Sequence, residues 1–484
     1  MHLNSKKIYS NIKIVSLLSL LLLVAVGIFI LTFYDRRKNS TEVCSIETLD
    51  DYIQSVNQYH KSIRREQADH EKWLRKPVEN IVYDPYIDSV DSDELGSYDE
   101  KLLLTLEETK EDVDYFFQIA HDTYGLYDYF GGESAFNAAK EAVLAECEKT
   151  QEISCESLEK ILLENLTFVE DGHFLINKKS FAKKVIPFFY REVVFEKTDK
   201  GYVTLDGKRV VESIEGFPNL DQLFKPSISD EGRLVYFPVL LSDYNLTFEK
   251  EMTQQIICEE ELLVHYTDGS SQILNADPFQ MYYEAVDSDT YVLEEDQEMQ
   301  IPILRIRQCV RNGERKLYSY IEEIRDKPIA ILDLRSNGGG YLSIPLSIMQ
   351  RYAGKMVPPN ASTINVWSGV VSPEVEDDFV ENENLLIILV SKYTASAAES
   401  LVDIAYNLEN VLVIGENTSG TFLGNSATKY LPNSKIEIRF ADAFVQSPPN
   451  YGEYFQELRG FYPDLWVPAS EAENLAIRLV KRYL

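Results

Sequence analysis

Cysteine is scarce in this chain, with five residues in 484. Cys44, Cys258 and Cys309 show no metal-ligand spacing, while Cys147 and Cys155 stand close enough in sequence to pair in an oxidising compartment. Neither a metal nor a cofactor is implied. Positive charge is also short: 47 Lys and Arg against 79 Asp and Glu leave a formal net charge of −32. That deficit disfavours nucleic acid and anionic membrane surfaces as partners and describes a solvated acidic exterior. Apolar residues are not lacking. At 45% of the chain they suffice for packed cores and exclude a disordered protein, and the length allows about three domains.

Ile14 to Tyr34 is 21 residues without a charge, long enough to cross a bilayer. No small-x-small cleavage site accompanies it, so a retained signal anchor over residues 1–38 is expected. Basic residues on both flanks (Lys6, Lys7 and Lys13; Arg36, Arg37 and Lys38) leave its orientation weakly specified. Residues 39–100 are charged and read as a stalk or linker. From 101 to 180, periodic apolar residues predict helices that run into VEDGHFLI. From 181 to 300, short alternating segments predict a mainly-β domain. From 301 to 484, ILRIRQCV, IAILDL, LLIILV and VLVIG alternate with helical stretches, predicting βαβ units and a largely parallel sheet.

Two turns in that last region carry chemistry. TASAAE (Thr394 to Glu399) follows the strand LLIILV and opens a helix whose Ala398, Leu401, Val402, Ala405 and Leu408 share a face. Ser396 therefore sits at a helix N-terminus, where unpaired N–H groups favour nearby negative charge. Read alone, the serine is an N-cap whose capping box Glu399 completes. The second turn, RSNGGG, follows the strand Ile329 to Leu334 and precedes a helix from about Leu342 to Tyr352. Its N–H groups suit a developing oxyanion. It lacks the Lys-Ser/Thr ending of a phosphate loop.

Together these turns resemble the tail-specific, or C-terminal processing, serine peptidases. The D-L-R-x-N-x-G-G turn is Asp333 to Gly340, and the T-x-S-A-x-E serine is Ser396. G-E-x-T-x-G is Gly415, Glu416, Thr418 and Gly420, and the terminal segment is Gly460, Pro463 and Asp464. The resemblance implies an α/β fold with a spiral core shared with the Clp protease and crotonase folds. A helical N-terminal region precedes that core, and either a PDZ domain or a divergent β-domain intervenes. It also implies a catalytic part outside the cytoplasm and protein or peptide substrates.

One departure bears on mechanism. The bacterial members place a general-base lysine directly after the last glycine of G-E-x-T-x-G, where this chain has Thr421. A threonine hydroxyl cannot serve as that base near neutral pH. Lys429, in the next strand, reads as an ordinary surface lysine. The tricorn-like and interphotoreceptor-retinoid-binding-protein-like branch instead uses an upstream D-G-H histidine, matched here by Asp171, Gly172 and His173. Imidazole has the basicity for the task, and an activity falling through about pH 6.5 is expected from an unperturbed ring. In that branch a glutamate completes the network. Glu457 holds its place, with Glu453 the alternative. Tricorn carries a serine before its histidine, where this chain has Gly172.

The expectation is a membrane-anchored serine endopeptidase in which Ser396 attacks and His173 takes its proton. Gly339 and Ala397 N–H groups hold the oxyanion, and Glu457 orients the network. Two other readings stand beside it: a non-catalytic member binding peptide or an apolar ligand in the same cleft, and an acyl-thioester enzyme of crotonase type. Five sequons (Asn39, Asn165, Asn245, Asn360, Asn417) are present, and a glycan on Asn417 would obstruct the site, which favours a bacterial source. Oligomeric state is not specified.

Overall fold

The computed structural model describes residues 48–63, 74–75, 97–180, 183–244, 255–284, 289–366, 368–372, 379–424, 427–448, 451 and 454–483. The expected anchor, much of the stalk, Cys44, Asn39, Asn245 and Glu453 lie outside them. Among the described residues, no helix is long and apolar enough to cross a membrane.

The architecture is mixed α/β, the class expected. A central six-stranded sheet runs in the order Tyr291–Glu295, Pro302–Ile306, Ile329–Asp333, Leu385–Val390, Val411–Gly415, Leu465–Trp466. Its first pairing is antiparallel and the rest are parallel. Strands covered on both faces read as unbroken apolar runs, and LLIILV and VLVIG are such runs. Successive side chains point to opposite faces. Leu386, Ile388, Val390, Val411 and Val413 pack beneath helices Glu314–Arg325, Ser343–Ala353 and Ala397–Ala405. Ile387, Leu389, Leu412 and Ile414 face the C-terminal helix Ala472–Tyr483 and the β-rich region.

That β-rich region holds a sheet built on the long strand Leu234–Tyr244 and a smaller one of Val211–Ile214, Leu262–Tyr266 and Ser271–Leu274. The Asp268-Gly269 turn closes the hairpin of the smaller sheet, with His265 opposite Ser271. Upstream, helices Leu106–Thr123, Gly132–Cys147 and Cys155–Asn165 bury Phe116, Phe136 and Leu158 in a separate apolar cluster. Thr105 and Glu108 close a capping box on the first of these helices. Within the expected stalk, helix Leu49–Ser62 lies against the core, where the Tyr52 hydroxyl donates to the Asp464 carbonyl at 2.5 Å.

Two expectations change here. Cys147 and Cys155 are free thiols, not a pair, each held in the apolar cluster of the helices and pushed up to about 11 by burial. Asn360 and Asn417 are 2% and 0% exposed, so neither can carry a glycan on the folded chain.

Candidate active site

The parallel strands deliver three turns to one edge of the central sheet: Arg335–Gly340 after the strand ending at Asp333, 391–396 after Val390, and 416–421 after Gly415. Loops at the carboxyl ends of parallel strands are where α/β sheets place their sites. Ser396 is the residue before helix Ala397–Ala405 and has φ 54°, ψ −119°. Positive φ in a non-glycine residue is a strained conformation that clusters at functional sites. The strain is held from behind by Glu399, whose Oε2 accepts from the Ser396 N–H at 2.9 Å.

His173 comes from the other side of the molecule. The helix Cys155–Asn165 is followed, after residues 166–170, by the Asp171-Gly172-His173 turn, which leads into the short strand Leu175–Ile176. That strand pairs with Glu437–Phe440, which brings the turn to the sheet edge. His173 Nε2 lies 3.1 Å from Ser396 Oγ, within reach for proton transfer. The residue is 7% exposed, and burial, with the Arg439 guanidinium adding to it, lowers the imidazole to about 4. The expected fall in activity through pH 6.5 is therefore corrected: the free ring stays neutral to well below that value.

Three carboxylates frame the pair without touching the imidazole. Asp171 Oδ1 accepts from the His173 N–H at 2.8 Å and Oδ2 from the Tyr124 hydroxyl at 2.9 Å. Burial raises Asp171 to about 6 against the pull of those two bonds. Glu457 Oε1 takes the Gly172 N–H at 3.1 Å, and Oε2 takes those of Phe422 and Leu423 at 3.0 and 3.1 Å. Burial, then the nearby charges of Asp171 and Glu399, push Glu457 well above the ordinary carboxylate range. Glu457 thus ties the histidine turn to the 421–424 loop through backbone amides. Glu399 is the corresponding hub on the serine side. Besides the Ser396 amide, it accepts from the Thr418 hydroxyl at 2.6 Å, from Gly420 N–H at 2.7 Å and from Thr421 N–H at 2.9 Å.

Of the two expected oxyanion donors, only Ala397 has its N–H directed to no described acceptor. The Gly339 N–H is given to Asn337 Oδ1 at 2.9 Å, in an Asx-type turn. Gly339 sits directly against Ser396 with φ 105°, where a Cβ would lie 2.8 Å from Ser396 Cβ and from the Ala395 carbonyl. Only glycine permits that approach. A cavity of about 290 Å³ opens beside the pair, lined by His173, Ser396 and Thr421 and walled by Leu342, Leu346, Ile404, Phe422 and Val445. Clefts of about 690 and 560 Å³ elsewhere are lined by no serine, threonine, cysteine or histidine.

Lys429 is 7% exposed on the strand Ala427–Tyr430, so it is a buried lysine, not the surface one expected. Lys392 went unnoticed in the sequence. It is 1% exposed and donates to the carbonyls of Thr418 and Ser419 at 2.7 and 3.0 Å. It pins the turn whose amides converge on Glu399. Its signal was a lysine two residues after an apolar strand, a pattern with no local meaning. Asn337 was legible in principle, since Asn two residues before a glycine is a common Asx-turn signal. Among the described residues, no three His, Cys, Asp or Glu side chains gather closely enough to hold a metal ion.

The fold is similar to that of the photosystem II D1 C-terminal processing protease, at 13% identity over 77% of this chain and 96% of that chain, with a TM-score of 0.39. It is also similar to a lipoprotein from Streptococcus agalactiae, at 13% identity over 78% and 97%, TM-score 0.38. A third likeness is to the tricorn protease, at 13% identity over 76% of this chain and 35% of that chain, TM-score 0.36. Likenesses this distant carry no weight for the chemistry. The sequence itself is more decisive. The model of peptidase family S41 matches residues 300–465, a span that contains Ser396, the glycine turn and Glu457, with His173 upstream of it. The chain is a serine-type peptidase, and its residues 300–465 match family S41, that of the tail-specific, C-terminal processing peptidases.

Proposed function

We propose that the chain is a membrane-anchored endopeptidase acting outside the cytoplasm through a Ser-His site rather than a Ser-Lys dyad. The observation that carries the catalytic half is the 3.1 Å approach of His173 Nε2 to Ser396 Oγ, with Thr421 where dyad enzymes keep lysine. Ser396 Oγ attacks the substrate carbonyl while its hydrogen passes to Nε2. The resulting oxyanion meets the Ala397 N–H at the positive end of its helix. Nε2 then returns the proton to the leaving amine. The apolar walls of the adjoining cavity suit an uncharged side chain next to the scissile bond. The anchor half rests on the uncharged stretch 14–34.

Labelling with a fluorophosphonate tests the mechanism. Ser396→Ala is expected to abolish labelling and His173→Ala to slow it by about 10³-fold or more. Full labelling of either variant would overturn the assignment. Because the ring must be neutral to accept a proton, and is lowered to about 4, the labelling rate should stay level from pH 8 down to about 5. It should fall only as pH approaches 4. Fractionation of the full-length chain tests the anchor, which fails if the protein is released without detergent.

A further inference from the structure

The far side of the imidazole is empty of partners. His173 Nδ1 is buried and makes no hydrogen bond among the described residues. Yet Nε2 can accept the serine hydrogen only in the tautomer that carries its own hydrogen on Nδ1. A buried N–H without an acceptor costs about 1–3 kcal/mol, and more when the group is charged, as the imidazolium formed during attack is. The base needs an acceptor on that side.

None of the framing carboxylates supplies it. Asp171 is engaged by the His173 amide and Tyr124, Glu457 by three amides of other residues, and Glu399 by the serine turn. The charged side chain acting on the ring is the Arg439 guanidinium, which has only donors to offer. Of the hydroxyls lining the cavity besides Ser396, those of Thr363, Ser400 and Thr421, the one packed against the histidine turn is Thr421. Thr421 lines the same cavity as His173 and Ser396. A Cβ built on Gly172 would meet Thr421 Oγ1 at 2.8 Å and Thr421 Cα at 3.0 Å. The hydroxyl thus fills the space that a side chain beside the histidine would take. Its partner is Ser419 Oγ at 3.0 Å. With its hydrogen given to Ser419, Oγ1 keeps lone pairs for an incoming N–H.

Resting on the Ser-His reading above, we propose that Thr421 is the positioning residue of the base, its hydroxyl accepting the Nδ1 hydrogen through one water, since the two make no direct bond. No proton leaves Nδ1. The serine hydrogen moves to Nε2, and the water-bridged Nδ1–H to Oγ1 link holds the tautomer and spreads the new positive charge. The position that dyad relatives use for the base here steadies a base supplied from elsewhere. Gly172 is the counterpart, since any larger residue there would push the threonine away.

The test uses the full-length chain and the second-order rate of fluorophosphonate labelling. Thr421→Val removes the hydroxyl at nearly constant volume, and Thr421→Ser keeps it. Thr421→Ala stands in should the valine variant fail to fold. Loss of the hydroxyl should slow labelling by about 10- to 100-fold, the range seen when an orienting partner of a histidine is removed. Thr421→Ser should stay within about threefold of the parent, and Tm should not move with rate. Within a His173→Ala background, removing the hydroxyl should change nothing further. Unchanged labelling in Thr421→Val, or an equal loss with and without His173, overturns the proposal. If Ser396→Ala and His173→Ala are dead while Thr421→Val is fully active, only this inference fails. If either of the first two labels normally, the Ser-His reading fails instead.

Discussion

The two halves of the site are built to different standards. Ser396 stands behind a strand in the middle of the sheet, paired in register on both sides, and its amide is clamped by a carboxylate with four donors. His173 hangs from a two-residue strand, its turn held by Asp171 and Glu457 through backbone amides and its ring held on one side only. The serine is over-determined and the histidine is not. Damage on the serine side should therefore appear as lost stability, and damage on the histidine side as lost rate.

The effect on rate that sharpens this contrast is on the histidine side. Gly172→Ala adds a methyl that would sit 2.8 Å from Thr421 Oγ1 and 3.0 Å from Thr421 Cα, so the histidine turn and Thr421 must move apart. A displacement near 1 Å lowers rate by about 10²-fold, and we expect that loss in labelling with a small change in Tm. On the serine side, Lys392→Met leaves the Thr418 and Ser419 carbonyls without their cation. Removing one member of a buried charged network costs about 3–5 kcal/mol, to be read from urea unfolding. Glu399→Gln keeps one acceptor oxygen but turns an NH₂ towards amides that need an acceptor. A loss of about 1–3 kcal/mol is expected. If Lys392→Met or Glu399→Gln left stability intact, the contrast would break.

The smallest effect concerns pH. Burial raises Glu416 to about 7 and Asp171 to about 6. A carboxyl whose folded value lies above its unfolded one binds more protons in the native state, so its contribution falls as pH rises through that window. His173 acts in the opposite sense, but only between about 4 and 6.5. The two raised carboxyls outweigh the one histidine, so stability should decline gently from about pH 5 and level off above about pH 7.5. Glu416→Gln should flatten that decline. An unchanged slope would place the proton uptake elsewhere.

The same contrast explains what was legible in the sequence. LLIILV marks its strand to the residue, Leu385–Val390, because a buried strand writes itself in consecutive apolar side chains. The three N-terminal helices and the β-rich stretch were visible by their periods. The strand Leu175–Ile176 was not, since two residues carry no period and its existence depends on Glu437–Phe440, over 250 positions away. Glu399 read as a capping box, which it is in part. Its three other donors come from residues 418–421, contacts made only by the completed fold. The buried Lys392 and the unpartnered Nδ1 of His173 share that origin. Each is a property of packing between segments and leaves no trace in either one.

The interior placement of Asn417 and Asn360 bears on how the chain can be produced. Oligosaccharide is transferred to an unfolded polypeptide as it enters the endoplasmic reticulum, before burial can hide an acceptor. A eukaryotic secretory host would thus attach sugar at sites the native state must seal. Such molecules would be held back as misfolded, whereas Asn417→Gln with Asn360→Gln, or a host without that transferase, would let them through.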